Sequence, residues 1–168
     1  MPRGQRLLFM PLPLLRSTAR STKLGVFGEL LLEHWLIRAG FHTAHADAEG
    51  LDVLATHSSL QTRIGLSMKT RFYEKPADAG ILLFTGRDKL ISSCATWGAK
   101  PWLSLYFESN VNGCLIAMAL DHYESTYLKT DNKKWYLLDI RAAALDKLRQ
   151  DLNVHIVEMQ LTGRWMSS

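Results

Sequence analysis

The chain has 168 residues, of which 47% are apolar and 21% charged, so it is long enough to bury a core within one domain of ordinary size. No run of 18 apolar residues occurs, and the sequence therefore predicts no membrane-spanning helix. The two cysteines, Cys94 and Cys114, are too few for a disulfide framework or a four-cysteine zinc site, and they fit buried positions in a reducing compartment.

The positive charge is concentrated at the amino end. Five of the 20 Lys and Arg residues lie within residues 1–28, which contain no acid; the other 15 accompany all 16 Asp and Glu residues, so the remainder carries a net charge of −1. We expect residues 1–22 to form a basic, flexible arm that can contact phosphates. An acid-free, Arg- and Ser-bearing amino end is also typical of a mitochondrial transit peptide. The expected location is cytoplasmic, in a prokaryote or phage-like source, or mitochondrial if this arm is a transit peptide.

The first predicted element is a helix over residues 23–39, where apolar residues recur at helical spacing. Ser21 or Thr22 is expected to cap its start and Gly40 to end it. Three short strands joined by turn-like segments follow, at 41–46, 51–57 and 63–71. Because such short gaps cannot hold a parallel crossover, we expect an antiparallel meander.

In the second half of the chain, predicted helices alternate with predicted strands. We predict a helix at 88–98, a strand at 101–107 and its hairpin partner at 113–122, and then a strand, a helix and a strand at 135–140, 142–152 and 154–160. This order indicates an α+β or mixed α/β sandwich.

The strongest chemical signal involves Asp52, a charged residue in an otherwise mostly apolar strand, where an ionised carboxylate needs a compensating partner. In the strand predicted at 63–71, Ser67, Lys69 and Arg71 share one face because side chains alternate along a strand. If the two strands pair through the short turn between them, Asp52 and Lys69 can approach each other on one face.

Glu29 borders the apolar arc of the first helix, so its side chain is expected to lean over the sheet. Two carboxylates and an ammonium group on one face suit metal-assisted phosphodiester hydrolysis. Mg²⁺ takes carboxylate and water oxygens, and the bound metal activates a water. A lysine can orient that water or stabilise the transition state. The alternative is that Glu29, Asp52 and Lys69 are ordinary solvated side chains.

Two other signals are weaker. His42 and His45 have an odd spacing that places them on opposite faces of a strand, so we do not expect a paired metal site. The segment 80–87 lacks the spacing and the Lys-Ser/Thr pair of a phosphate-binding loop.

Taken together, the motifs resemble those of the PD-(D/E)XK nuclease superfamily, in particular the branch that contains archaeal-type Holliday junction resolvases and small restriction-endonuclease-like proteins. The resemblance spans about residues 24–107. Its segments, in the order of the family, are Gly28-Glu29-Leu30, Gly40-Phe41, Gly50-Leu51-Asp52-Val53-Leu54-Ala55, Ser67-Met68-Lys69-Thr70-Arg71 and Trp97-Gly98-Ala99-Lys100-Pro101-Trp102.

The resemblance implies an α/β fold with a mixed sheet. Its restriction-endonuclease-like αβββαβ core would lie within about residues 24–123 of a single domain, 23–168, and a C-terminal strand–helix–strand extension would follow the core. The implied activity is that of an endonuclease that hydrolyses DNA phosphodiester bonds with Mg²⁺ or Mn²⁺, with branched or recombining DNA as a candidate substrate. No small-molecule cofactor and no membrane are implied, and a homodimer is expected because duplex cleavage needs two cuts.

The resemblance also implies roles for individual residues. Asp52 would be the principal metal ligand, Glu29 would bind the metal directly or through water, and Lys69 would align the attacking water. Ser67 or its backbone would complete the contribution of its strand. Secondary phosphate contacts are expected from three cations, Arg71, Arg87 and Lys89.

One position departs from the pattern of the family, which usually has a carboxylate or amide where this chain has Ser67. A serine is a weak, neutral ligand and cannot replace that charge. Three carboxylates are candidates to compensate for it, namely Asp88, Asp78 and Glu33. The alternative is a catalytically inactive nuclease-like domain that binds nucleic acid or a protein partner.

Overall fold

The computed structural model describes residues 18–72, 80–84, 86–109, 112–128 and 136–161. Within these ranges the helices are α1 (Thr18–Arg38), α2 (Arg87–Thr96), α3 (Leu120–Thr126) and α4 (Ala142–Gln150). The strands are β1 (His42–Ala48), β2 (Leu51–His57), β3 (Thr62–Phe72), β4 (Gly80–Phe84), β5 (Lys100–Glu108), β6 (Asn112–Ala119), β7 (Tyr136–Asp139) and β8 (Val154–Gln160).

The strands form a mixed sheet of six, in the order β1-β2-β3-β5-β6-β8, and a separate pair, β4-β7. In the larger sheet β3 and β5 are parallel, and every other neighbouring pair is antiparallel. The predicted antiparallel meander of the first three strands is confirmed. Apart from β4, which lies between β3 and α2 in the chain, the order from α1 to β5 is the αβββαβ order of the restriction-endonuclease-like fold, as the sequence motifs predict.

Helix α1 starts earlier than predicted and stops where predicted. It begins at Thr18, so Ser21 and Thr22 lie inside it and do not cap it. The good helix formers Ala19 and Arg20 precede that pair and continue the helix upstream. At the other end Gly40 has φ +89, and its N–H donates to the carbonyl of Ile37, one of the paired bonds that close a helix at a left-handed glycine.

In the second half of the chain one predicted strand is too long and one strand was not predicted. The strand predicted at 113–122 ends at Ala119, and α3 begins at the next residue, Leu120. The spacing of Leu120 and Tyr123, which are both buried, suits a helical turn, and Asp121 in the first turn complements the helix dipole. Strand β4 was not predicted, and it pairs with β7, so the C-terminal strand–helix–strand extension contributes its first strand to the smaller sheet and its last to the larger one.

The larger sheet has a hydrophobic core on each face. Helix α1 packs on one face, whose buried residues are Leu32, Val53, Ala55, Ile64, Leu66, Met68, Tyr106 and Leu115. Helices α2, α3 and α4 pack on the other, whose buried residues include Leu51, Leu90, Cys94, Leu103, Leu105, Cys114, Ile116, Met118, Leu120, Tyr123, Leu138 and Leu148. None of the helices in the described ranges has the length and apolar character needed to cross a membrane.

Helix α1 lies close against β3 at Gly28, which directly precedes Glu29. A Cβ at Gly28 would lie 2.3 Å from Cγ2 of Thr70 and 3.0 Å from Cε of Met68. Real Cβ atoms do not approach a neighbour as closely as 2.3 Å, and Thr70 is a stiff, β-branched side chain. The absence of a side chain at position 28 therefore allows the helix to bring Glu29 down onto the sheet.

We predict that Gly28→Ala lowers the free energy of unfolding by about 1–3 kcal/mol, because the added methyl group overpacks the contact between helix and sheet. Gly25→Ala is the matched control. A Cβ at Gly25 would meet its nearest neighbour, Oγ1 of Thr70, at 3.9 Å, and alanine should gain about 0.5–1 kcal/mol from helix propensity. Urea denaturation of both variants measures the difference. Equal stability of the two would contradict the packing described here.

Candidate functional site

The carboxylate of Asp52 lies where β2 stops pairing with β3. The paired residues of the two strands run from His57 opposite Thr62 to Val53 opposite Leu66. At the next position of β2, Oδ2 of Asp52 accepts the backbone N–H of Met68 at 2.6 Å. The Asp52 carboxylate thus accepts a hydrogen bond from a backbone N–H of β3 that lies beyond the last paired residues of the two strands. This bond is the compensating partner that an acid in an apolar strand requires.

Ser67 and Lys69 flank Met68 in β3. Leu66 and Met68 belong to the core on the α1 side, so alternation directs Ser67 and Lys69 to the opposite face, as predicted. Ser67 is 3% exposed, and its carbonyl accepts the hydroxyl of Ser104 at 2.9 Å. Lys69 is half-buried and makes no ion pair within 4.0 Å in the described part of the chain.

Glu29 reaches this region from α1, on the face of the sheet opposite to that of Ser67 and Lys69, so the expectation that both carboxylates and the ammonium group share one face is wrong. The pKa of Glu29 reports its surroundings. Burial raises the pKa of Glu29 above its usual value, and the negative charges of Asp52 and Glu33 raise it further, whereas His45 opposes them. The negative charge of Asp52 therefore disfavours the ionised form of Glu29. A divalent cation between two such groups would offset that effect.

His45 lies between the two glutamates of α1. Its Nε2 is 2.7 Å from Oε1 of Glu33, and its Nδ1 is 3.8 Å from Oε2 of Glu29. The shorter contact lacks hydrogen-bond alignment, so the buried Oε1 of Glu33 has no well-aligned donor, while Oε2 accepts the Thr43 hydroxyl at 3.1 Å. The position of His45 beside these glutamates was not predicted from the sequence, where its spacing was considered only relative to His42.

The three carboxylates considered as substitutes for an acid at position 67 have different locations. Glu33 lies beside Glu29 through their shared neighbour His45. Asp88 lies in the first turn of α2, has a side chain that is 97% exposed, and lies 3.5 Å from the guanidinium of Arg87. Asp78 lies outside the described residues. Of the two carboxylates that the structure describes, Glu33 is the one that shares a neighbour, His45, with Glu29.

The three cations considered as phosphate contacts have partners within the protein. Arg71 is exposed and donates to the carbonyl of Thr70, its neighbour in β3, at 2.7 Å. Arg87 donates to both carboxylate oxygens of Glu124 in α3, at 2.5 and 3.1 Å. Nζ of Lys89 lies 3.0 Å from Oε2 of Glu49. Of these three cations, Arg87 and Lys89 are paired with carboxylates, whereas the described contact of Arg71 is with a backbone carbonyl.

The donor set suits a hard cation held in part by water. In the described ranges no group of three or more His, Cys, Asp or Glu residues is arranged to hold a metal ion, as a structural zinc site would require. Among the neighbouring carboxylates, Asp52 raises the pKa of Glu29 most. Mg²⁺ is typically bound through one or two carboxylates and completes its shell with waters and substrate phosphates, so these two residues fit Mg²⁺ or Mn²⁺.

Comparison with known proteins gives similarity in structure only. No protein-family model matches the chain, and no curated protein matches it. A Holliday junction resolvase of the archaeal hyperthermophile Archaeoglobus fulgidus is similar over 51% of this chain and 64% of its own length, with 17% identity and a TM-score of 0.36. A restriction endonuclease in complex with substrate DNA is similar over 81% of this chain and 70% of its own, with 15% identity and a TM-score of 0.39.

These two similarities concern the fold alone. The chain spans less than two thirds of the length of the resolvase.

Proposed function

We propose that this protein is a metal-dependent endonuclease that hydrolyses DNA phosphodiester bonds and acts on branched or recombining DNA. The observation that carries the proposal is the hydrogen bond from Met68 N–H to Asp52, which joins this carboxylate to the backbone between Ser67 and Lys69. The repulsion between Glu29 and Asp52 adds a second carboxylate to the same region.

Each residue would have a distinct task. Asp52 is oriented by the Met68 N–H, which leaves Oδ1 to serve as a ligand. Glu29 supplies a second carboxylate oxygen from α1. The Lys69 ammonium group donates a hydrogen bond to the attacking water, which orients it, or to a phosphate oxygen, whose growing charge it stabilises. A bound Mg²⁺ or Mn²⁺ ion supplies a water of lowered pKa and neutralises charge on the phosphate.

Ser67 leaves this site with one acid fewer than the motif usually has. Its hydroxyl or backbone would make a neutral contribution, because the side chain is buried and carries no charge. Among the candidate carboxylates we assign the compensating role to Glu33, which lies beside Glu29 through His45. Asp78 and Asp88 remain the alternatives.

DNA would be held by cations around the site. Arg71 is the first such contact, since it lies two residues beyond Lys69 and is exposed. Arg87 and Lys89 would contact phosphates only by giving up Glu124 and Glu49. A homodimer would supply the two sites needed to cut both strands of a duplex. The proposed location is the cytoplasm.

A second candidate function is that of an inactive nuclease-like domain that binds nucleic acid or a protein partner. The serine at position 67 favours it, because a site with fewer acids binds a metal less tightly.

Cleavage assays with the full chain separate the two candidates. The substrates are supercoiled plasmid, linear duplex and a four-way junction, each incubated with Mg²⁺, with Mn²⁺ and with a chelator. We expect cleavage that needs the metal and is fastest on the junction. Salt-dependent binding without cleavage in either metal would support the inactive nucleic-acid-binding domain. A lack of any DNA or RNA binding would support a protein partner.

A further inference from the structure

Helix α2 contacts the turn that leads into Asp52. The hydroxyl of Ser93 donates to the carbonyl of Glu49 at 2.9 Å. At the next residue, Gly50, φ is +77, and a Cβ there would lie 3.1 Å from the backbone nitrogen of Leu90. The backbone of the turn therefore lies directly against the first turns of α2, two residues before Asp52.

The same helix contacts β3 just before Ser67. A Cβ at Gly65 would lie 2.5 Å from Sγ of Cys94 and 2.8 Å from Cδ1 of Leu51, and the Cys94 thiol donates to the Gly65 carbonyl at 3.7 Å. Gly65 precedes Ser67 by two residues, as Gly50 precedes Asp52. At both places a glycine allows α2 to reach the backbone of a strand that carries site residues.

Packing makes these contacts stiff. Leu51, Leu90 and Cys94 are 1%, 0% and 1% exposed, respectively, and all three belong to the same core. The nearby ion pair of Lys89 with Glu49 joins side chains that are 59% and 77% exposed, and such surface pairs contribute little. The hydrogen bond of Ser93 and the close packing at the two glycines therefore hold the helix against the strands.

We propose that α2 is a positioning element of the site, which sets the separation of Asp52 from Ser67 and Lys69 through Ser93, Leu90 and Cys94. The inference rests on the proposed function. Residues that orient metal ligands from behind typically affect metal affinity by about 10–100-fold. Ser93 and Cys94 thus influence the site without contacting the substrate.

The first test adds a methyl group on the strand side of the contact between α2 and β3, and then removes a sulfur atom from the helix side. Gly65→Ala pushes β3 away from α2, and we expect its affinity for Mn²⁺, measured by calorimetry on the full chain, to fall by about tenfold or more. Adding Cys94→Ala removes the sulfur that the new Cβ would meet, while the end of the flexible Leu51 side chain can shift. We expect the double variant to recover affinity to within about threefold of the original.

The second test uses two adjacent serines of α2. Ser93→Ala removes the hydrogen bond to Glu49, whereas Ser92→Ala alters an exposed side chain on the same helix. We expect Ser93→Ala to weaken Mn²⁺ binding by at least about threefold and Ser92→Ala to leave it unchanged. This pair decides the matter if Gly65→Ala does not fold.

Asp52→Ala distinguishes failure of the inference from failure of the proposed function. If Asp52→Ala loses Mn²⁺ binding while folded Gly65→Ala and Ser93→Ala keep it, α2 is not a positioning element and the metal site stands. If Asp52→Ala itself keeps full Mn²⁺ affinity, the proposed metal site is wrong. Loss in Gly65→Ala with recovery in the double variant supports the inference, because a merely destabilised protein would not regain metal affinity in this way.

Discussion

Asp52→Asn should reduce metal-dependent DNA cleavage by at least about 10²–10³-fold while leaving the fold intact. The amide oxygen of asparagine can still accept the N–H of Met68, so the bond that orients the side chain in the present structure is preserved. What disappears is the negative charge that binds a divalent cation. We therefore expect Mn²⁺ affinity to fall together with the cleavage rate, and the urea midpoint to change little.

Lys69→Met provides the complementary comparison for this prediction. Methionine keeps a flexible, unbranched side chain like the apolar stem of lysine but lacks the ammonium group. In the proposed mechanism this group contacts the attacking water or the phosphate. Cleavage should fall as steeply as in Asp52→Asn, whereas Mn²⁺ affinity should remain. Wild-type cleavage rates in either variant would contradict the roles given to these two residues.

Glu29→Gln should make the protein more stable at neutral pH and weaken its binding of Mn²⁺. The pKa of Glu29 is raised in the folded state, so the folded protein holds this proton more tightly than the unfolded chain. The stability associated with the protonated carboxyl is present below the usual pKa and is lost as pH rises through the raised one. Glutamine does not ionise, so the variant does not lose this stability as pH rises. Such a gain on substitution is expected where a functional site is maintained at a cost in stability.

Thermal unfolding as a function of pH measures the effect. Below pH 4.5, the ordinary pKa of this carboxyl, the two proteins should differ little, and the advantage of Glu29→Gln should grow as pH rises above it. Added Mn²⁺ should stabilise the wild type more than the variant, because a ligand stabilises the state that binds it. Glu158→Gln serves as the control, because it removes an exposed carboxylate that is paired with Arg149 and should therefore give no rise in stability. A lower melting temperature for Glu29→Gln at pH 7 would contradict the described repulsion.

The parts of the fold that follow local rules were predictable from the sequence. Residues 51–57 and 154–160 form strands over the predicted ranges, and Gly40 ends α1 because a left-handed residue is needed there. The short turns between the first three strands required an antiparallel meander. Strand β4 was missed because its pairing with β7 joins segments more than 50 residues apart along the chain, and neither strand forms alone.

The face of the sheet on which His45 lies depends on a register shift in β1 that could not be predicted from the sequence. Ala48 pairs with Leu51 across the tight turn, and regular pairing from there would place His45 opposite Leu54. The register shifts between His45 and Ala48, so His45 lies opposite Val53 instead. A slip of one residue moves a side chain to the other face of the sheet, and here that is the face of Glu29 and Glu33.

The partners of the candidate phosphate contacts depend on tertiary structure. Arg87 meets Glu124 and Lys89 meets Glu49, each about 40 residues away in sequence, because α2 lies between α3 and the turn of the first hairpin. Sequence spacing identified the cations but could not show which carboxylates neutralise them. The hydrogen bond from Met68 to Asp52 was likewise unpredictable in detail, because it forms where the pairing of β2 with β3 ends.

The central claim is that Glu29, Asp52 and Lys69 surround one divalent cation. Diffraction from crystals of the full chain grown with Mn²⁺, recorded where manganese scatters anomalously, tests it most directly. We predict one strong peak within coordination distance of an Asp52 oxygen, with a Glu29 oxygen bound directly or through one water and the Lys69 ammonium facing the same ion. A manganese ion bound elsewhere, or a Lys69 ammonium on the opposite side of the sheet from the Asp52 carboxylate, would contradict the account.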